Sequence, residues 1–189
     1  RVVRGVAEDV ADACLALLAQ HHDPLSGVLD DLDRWNKAGA GMVVPTFQSI
    51  KNHCRCDTPV ATLGHGPSII DLAQAGRTVD CIVDDVGLAL GFAQSRHHSH
   101  GAVFEVQIGD ADIWQPVGEA IRQTVESSGA TRLVLRLQSQ EKPARLDLTQ
   151  LPQPVAGEWL RLQELTKEIM VPADSTNRAD AGAGLTDND

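Results

Sequence analysis

Residues 103–108, which read V-F-E-V-Q-I, are the stretch that decides how this chain folds. Phe104, Val106 and Ile108 alternate with the residues between them, and this period of two is typical of a β-strand with one buried face. A Gly-Asp turn follows, and Ile113 lies in a second extended piece. The pattern therefore predicts a β-hairpin.

Working outward, two more strands and several helices surround this hairpin. Residues 131–138 alternate in the same way, with Leu133, Leu135 and Leu137 facing inward and polar residues facing outward, and residues 78–83 form a short apolar run. Apolar residues recur at helical spacing in five further segments. These predicted helices are residues 2–22, 24–35, 86–100, 116–128 and 158–170.

The elements mix without a strict strand–helix–strand rhythm, which favours an α+β fold. We expect N-terminal helices, a small and mainly antiparallel sheet with a hairpin, a C-terminal helix and an extended tail. Residues 1–170 would form a single domain, and residues 171–189 would form a docking tail.

The segment from residue 42 to residue 76 has the weakest pattern. Three prolines interrupt it, and a Gly-Pro-Ser sequence at residues 66–68 predicts the start of a short helix that Gly76 ends. Because irregular backbone carries binding sites more often than regular elements do, we expect a pocket here.

Composition limits the classes of function. Only 3% of the residues are aromatic and none is tyrosine, so the core must consist of aliphatic side chains. The net charge of −10 argues against nucleic acid and against anionic membranes as partners. Four irregularly spaced cysteines favour reduced thiols, and no apolar run approaches the ~20 residues that span a bilayer. We expect a cytoplasmic protein.

A cluster of possible metal ligands lies in the weakly patterned segment. His53, Cys54 and Cys56 form an H-C-x-C sequence, with His65 further on and Cys81 as a more distant partner. Thiolate and imidazole groups suit zinc or an iron–sulfur centre. The C-x-C spacing is tighter than that of most structural zinc sites, so the alternative is that the cysteines are ordinary core residues.

Three further features carry candidate chemistry. Arg55, between the two cysteines, would lower the pKa of a neighbouring thiol and make it reactive. The H-H-x-H run at residues 97–100 offers imidazoles for a metal, although histidine at a helix end is also favoured by the helix dipole. Asp84 and Asp85 suit acid–base work if they are buried together, or a helix cap if they are not.

Nucleotide-dependent chemistry has no support in the sequence. The chain contains no P-loop, no G-x-G-x-x-G after a strand, no H-E-x-x-H and no G-x-S-x-G. Gly182-Ala183-Gly184 is too short and lies in the wrong place for a dinucleotide-binding fingerprint.

The tail, residues 171–189, holds too little apolar surface to fold alone, so we expect it to lie against its own subunit or a neighbour. Its glycines permit a turn or a nest of N–H groups, its leucine suits an apolar groove, and its acidic end offers oxygen ligands for a cation. The candidate docking residues are Gly182, Gly184, Leu185, Asp187 and Asp189.

The two ends of the chain carry a resemblance. P-A-D-S-T-N-R at residues 172–178, A-G-A-G-L-T-D-N-D at residues 181–189 and R-G-V-A-E-D-V at residues 4–10 resemble an uncharacterised, mostly proteobacterial domain-of-unknown-function family. The resemblance covers about a third of the chain. It implies a cytoplasmic bacterial protein with further residues upstream of Arg1, and it transfers no activity and no catalytic residues.

These observations favour an accessory or binding protein that associates with itself or with a partner enzyme and has no catalysis of its own. The alternative is a small-molecule enzyme, or an enzyme subunit, that uses a metal or a reactive thiol in the region of residues 53–65. A ligand sensor built around the middle segment is the third hypothesis.

Overall fold

A computed structural model describes residues 4–38, 44–123, 129–144, 146, 157, 160 and 161. The chain divides into two compact units, Val2–Gln153 and Pro154–Asp189, the second of which also includes Arg1. In the second unit the described residues are 157, 160 and 161, and all three are helical. All the elements below belong to the first unit.

The described part of the first unit contains helices followed by mixed strands and helices, which confirms the α+β class. The helices are α1 (Arg4–Leu18), α2 (Leu25–Ala38), α3 (Thr62–Gln74), α4 (Val86–His100) and α5 (Val117–Gln123). The strands are β1 (Gln48–Ile50), β2 (His53–Val60), β3 (Thr78–Val83), β4 (Ala102–Ile108), β5 (Gln115–Pro116) and β6 (Thr131–Gln140).

The six strands form one sheet in the order β1-β2-β3-β6-β4-β5. Strands β2 and β3 are parallel, and every other neighbouring pair is antiparallel. The predicted, mainly antiparallel sheet is therefore confirmed. A hairpin does follow β4, but its second strand is Gln115–Pro116 rather than the predicted piece with Ile113 and Trp114. Strand β6 comes last in the sequence but lies in the middle, between β3 and β4.

The core lies between the helices and one face of the sheet. Alternate side chains of each central strand point into it, and all five helices contribute residues that pack there. The largest fully buried side chains are Leu17, Leu29, Val60, Ile69, Ile70, Val79, Val83, Val86, Leu88, Leu90, Leu133 and Leu135. We call the face of the sheet that points away from this core the open face; Asp80 and Val134, at its centre, are each only 6% exposed.

The prediction of irregular backbone for residues 42–76 is wrong over residues 48–60. Residues 48–60 form the β1–β2 hairpin and supply an edge of the sheet. Strand β2 alternates between buried and exposed positions at its start, but the buried positions there are Cys54 and Cys56, and an aliphatic residue is buried only at its end, at Val60. Pro59 lies at an irregularity in the pairing of β2 with β3. Because proline is rare inside strands, its presence makes β2 harder to recognise from the sequence.

Helix α3 begins four residues before the predicted Gly-Pro-Ser start. The backbone N–H of Thr62 donates to Oδ1 of Asp84 at 2.8 Å, so a side chain from the end of β3 satisfies the first turn of the helix. This cap comes from 22 residues away, and local sequence cannot reveal it. The predicted end is confirmed, since Gly76 follows the helix with φ of +83°.

Most of the predicted final helix and all of the predicted tail lie outside the described residues. This applies to every candidate docking residue of the tail. Helix α1 ends at Leu18 rather than at residue 22, and Asp23 accepts a 2.9 Å hydrogen bond from the N–H of Leu25, as its predicted capping role requires.

Candidate functional site

The open face is a sheet surface that carries charged side chains of both signs, and on β2 the two signs lie together as the Arg55–Asp57 pair. Strand β2 contributes His53 and Arg55, and its neighbour β3 contributes Asp80. The next two strands, β6 and β4, contribute arginines and Glu105, respectively. Because side chains alternate along a strand, these residues point away from the core to the same side.

A bidentate ion pair between β3 and β6 lies at the centre of the open face. Nε and Nη2 of Arg132 donate to Oδ1 and Oδ2 of Asp80 at 2.9 and 2.8 Å. The Asp80 side chain is 9% exposed, whereas that of Arg132 is 51% exposed. The hydrogen bond from Arg132 lowers the pKa of Asp80 below its ordinary value, although burial opposes the shift. Nε2 of His53 lies 3.8 Å from Oδ2 of Asp80.

A second arginine–carboxylate group lies beside it, between β6 and β4. Nε and Nη2 of Arg136 donate to Oε2 of Glu105 at 3.1 and 2.7 Å, and the amide of Gln138 donates to Oε1 at 3.0 Å. The indole ring of Trp114 lies 3.9 Å from the guanidinium carbon of Arg136. This stacking places an aromatic surface at the β5 side of the open face.

Exposed apolar side chains lie at both ends of this surface. Ile50 of β1 pairs with His53 in the sheet, so the two side chains share the open face, and Ile50 is 71% exposed. At the other end Ile113, next to Trp114, is 76% exposed. Ile50 therefore lies on the open face, and Ile113 lies in the loop that leads to β5.

Asp84 and Asp85 act as caps at the carboxyl end of β3. Asp84 caps α3 as described above, and Oδ1 of Asp85 accepts from the N–H of Leu88 at 2.8 Å at the start of α4. The N–H of Asp85 donates to the hydroxyl oxygen of Thr62 at 3.2 Å, which joins the two helix starts. Burial, with a smaller effect from the charge of Asp84, raises the pKa of Asp85. The predicted capping role is confirmed.

The four predicted metal ligands do not form a group that could hold a metal ion, and no such group occurs elsewhere among the described residues. For β2 the reason is that successive side chains of a strand point to opposite faces of the sheet. The buried side chains of Cys54 and Cys56 face the core, whereas His53 points to the open face. His65 lies on α3, where burial lowers its pKa and its Nε2 has no hydrogen-bond partner.

The cysteines are free, buried or nearly so, and packed in the core. Burial, with help from neighbouring Cys56 and Asp80, raises the pKa of Cys81 to about 12. Burial, with Asp85 and Asp23, raises the pKa of Cys14 to about 12. Both thiols are therefore protonated at neutral pH. The side chain of Arg55, on the open face, points away from Cys54 and Cys56.

The histidine run lies at the end of α4, as predicted, and Gly101 ends the helix in a left-handed conformation. One ring nitrogen of His98, Nδ1, lies 3.1 Å from the carbonyl oxygen of Ala144, and the other, Nε2, lies 3.2 Å from the amide nitrogen of Gln94. A neutral ring that donates from Nδ1 and accepts at Nε2 satisfies both contacts. Burial lowers the pKa of His98, although the hydrogen bond to Ala144 opposes the shift.

The burial of His98 predicts a pH dependence of stability. Because the folded state lowers the pKa of His98, its contribution is complete above the ordinary histidine pKa of about 6.5 and is lost as the pH falls below it. The variant His98→Asn should therefore lose less stability than the wild type between about pH 7.5 and about pH 5.5 in urea unfolding. His100→Asn, at an exposed position, should behave like the wild type, and equal losses in all three proteins would contradict this role of His98.

Comparison with known proteins identifies no relative. No family model matches the chain, and neither a curated protein nor a solved structure does. Among the described residues, no helix has the length and apolar character needed to cross a membrane.

Proposed function

We propose that this protein is an accessory or binding protein that associates with a protein partner through the open face of its sheet. The observation that carries the proposal is the one-sided packing of the sheet. All five helices of the first unit pack against the other face, while the open face presents exposed Ile50 and paired charges, and Ile113 is exposed in the loop before β5.

The chemistry of the open face suits a protein surface better than other classes of ligand. Arginine and tryptophan are enriched at protein interfaces, and Arg132, Arg136 and Trp114 lie together here. Both signs of charge are present in near balance, whereas a nucleic-acid site needs a basic surface and this chain has a net charge of −10.

The alternative of an enzyme that uses a thiol in the region of residues 53–65 gains no support from the site. Nucleophilic catalysis requires a thiol that a substrate can reach, and the side chains of Cys54 and Cys56 are buried in the core, at 3% and 2% exposed. The carboxylates of Asp84 and Asp85, which were candidates for acid–base work, accept backbone hydrogen bonds at the starts of two helices. Their positions are explained by their role as caps of α3 and α4.

Adding charge to the apolar ends of the open face tests the proposal. We expect the double variant Ile50→Asp/Ile113→Asp to weaken association by at least about tenfold, because a carboxylate at each end must be desolvated on binding. The measurement is the mass of the native complex in solution, together with any protein that co-purifies with it. The wild type should exceed the 20.2 kDa of a single chain, and the variant should approach it.

A matched control separates the open face from a general effect of charge. Ala7→Asp/Ala11→Asp adds the same two charges at exposed positions of α1, on the helical side of the sheet, and should associate like the wild type. A wild type that is monomeric and free of partners would overturn the proposal. An open-face variant that keeps its complex would do the same.

A further inference from the structure

A cluster of polar side chains lies on the helical side of the sheet, where the turn after α1 meets α4 and α5. Gln20 belongs to that turn, and Gln94 and His98 lie one turn apart on α4. Both amide groups face Gly118 at the start of α5. A Cβ at Gly118 would lie 3.7 Å from Nε2 and 3.9 Å from Oε1 of Gln20, and 3.7 Å from Oε1 of Gln94. The two amides therefore border the same spot, and the two ends of the Gln20 amide are about equally near it.

The contacts of His98 fix the direction of its hydrogen bonds. Nδ1 lies 3.1 Å from the carbonyl oxygen of Ala144, which can only accept, so the neutral ring carries its proton on Nδ1. Nε2 lies 3.2 Å from Nε2 of Gln94 and must accept from that amide. An amide that donates to His98 presents its oxygen to the other side, which agrees with the position of Oε1 of Gln94 beside Gly118.

This arrangement leaves one acceptor of the cluster unsatisfied. Oε1 of Gln20 is buried and has no hydrogen-bond partner among the described residues. Gln94, whose amide borders the same spot, turns its oxygen rather than its NH₂ group to that side. A buried oxygen without a donor costs about 1 to 3 kcal/mol. Reversing the Gln94 amide would supply a donor, but it would also place an oxygen against the unprotonated Nε2 of His98.

A second proton on His98 removes this conflict. The imidazolium ring donates from both nitrogens, so Nδ1 keeps its bond to Ala144 while Nε2 donates to Oε1 of the reversed Gln94 amide. The NH₂ group of Gln94 then faces Gln20, whose oxygen gains a donor. Burial opposes this protonation, and so does the charge of His97, whose ring centroid lies 5.6 Å from that of His98. Among the described residues, His97 is the titratable group whose charge acts on His98.

We propose that Gln20, Gln94 and His98 form a proton-linked relay in which protonation of His98 reverses the hydrogen bonds between α4 and the turn after α1. One proton from solvent binds Nε2 of His98, and no other covalent bond forms or breaks. The reversed relay joins the turn after α1, α4 and the segment after β6 in one continuous chain of hydrogen bonds. It is a pH-sensitive contact on the helical side of the sheet, so it is independent of the proposed function of the open face.

The nitrogen-15 spectrum of the His98 ring tests the relay in the unchanged protein. Followed from about pH 8 to about pH 5, the chemical shifts should place the proton of the neutral ring on Nδ1. A scalar coupling between Nε2 of His98 and Nε2 of Gln94, carried by their hydrogen bond, should be present in the neutral form and disappear on protonation. A neutral ring with its proton on Nε2, or a coupling that survives protonation, would overturn the proposal.

The same titration in variants measures the link between Gln20 and His98. Gln20→Met removes the oxygen at nearly constant volume, so it should lower the proton affinity of His98 about fivefold, the effect of one hydrogen bond. Gln123→Met is the matched control, since it removes an exposed amide of α5 outside the cluster and should leave that proton affinity unchanged.

A double-mutant cycle shows whether Gln94 transmits the effect. When Gln94→Leu is already present, Gln20→Met should change the proton affinity of His98 by less than about 1.5-fold. An equal effect with and without Gln94, or no effect of Gln20→Met in the otherwise unchanged protein, would overturn the relay. His98 would then be a helix-end residue whose hydrogen bonds are independent of Gln20.

Discussion

Replacing Gly101 with alanine is expected to lower the free energy of unfolding by about 3 kcal/mol. Gly101 ends α4 with φ of +73°, a left-handed conformation that costs a residue with a Cβ roughly 1 to 2 kcal/mol. A Cβ at this position would also overlap the carbonyl oxygen of Glu141, in the chain that leaves β6. That chain is close because the N–H of Glu141 donates to the carbonyl oxygen of Gly101 at 2.8 Å. The alanine variant must therefore separate two segments as well as adopt an unfavourable backbone.

Gly76→Ala is the matched control. Gly76 follows α3 with φ of +83°, but a Cβ there would meet no atom within 4 Å. Its substitution should cost only the backbone strain, about 1 kcal/mol. Urea unfolding of both variants gives the difference, which reports the contact between the end of α4 and the segment after β6. If Gly101→Ala proved no worse than Gly76→Ala, that contact would not contribute to stability.

Asp80→Ala is expected to lower the free energy of unfolding by about 2 kcal/mol. The carboxylate is nearly buried, and its removal leaves the guanidinium of Arg132 without its two hydrogen bonds. The cost should fall below that of breaking a fully buried ion pair, because half of the Arg132 side chain is exposed and water can solvate it. Asp57→Ala, which breaks the exposed pair with Arg55, should cost under about 0.5 kcal/mol.

The same pair predicts how stability depends on acid. The folded state lowers the pKa of Asp80, so its contribution is complete above the ordinary aspartate pKa of about 3.9 and is lost as the pH falls below it. The difference in unfolding free energy between the wild type and Asp80→Ala should therefore shrink as the pH falls below about 4. A difference that is constant between neutral and acidic pH would show that the charge of Asp80 has no part in the effect.

The regular strands and helices could be predicted from the spacing of apolar residues in the sequence. Strands β4 and β6 alternate apolar and polar residues, and the structure confirms both, together with β3 and α4. Strand β2 could not be recognised, because Cys54 and Cys56 take the buried positions and a proline interrupts the run. Aliphatic alternation is the signal for a strand, and β2 lacks it.

The sequence predicted only some of the residues on the open face. The alternation of residues 131–138 predicts that Arg132 and Arg136 face outward, which is confirmed by their positions. Their carboxylate partners belong to other strands, and Asp80 is 52 residues from Arg132 in the sequence. Strand order decides such pairs, and β6 lies between β3 and β4 although it follows both in the chain. Local pattern carries no information on that order.

The metal site was predicted from residues that are close in the sequence but are not brought together in the structure. His53, Cys54 and Cys56 are close in the sequence, and this closeness suggested one site. In an extended strand, neighbours in the sequence point to opposite faces, so His53 and Cys54 are separated by the sheet itself. The docking role of the tail, the resemblance to a bacterial family and the cytoplasmic location remain predictions.

The most direct test of the central claim is hydroxyl-radical footprinting of the protein in the native complex in which it is isolated and of the same protein after dissociation. If the open face is the binding surface, His53 and Trp114 should be oxidised more slowly in the associated state. The exposed His100, on the helical side, should react at the same rate in both. Equal oxidation of Trp114 in both states, or protection of His100 instead, would contradict the assignment of the open face.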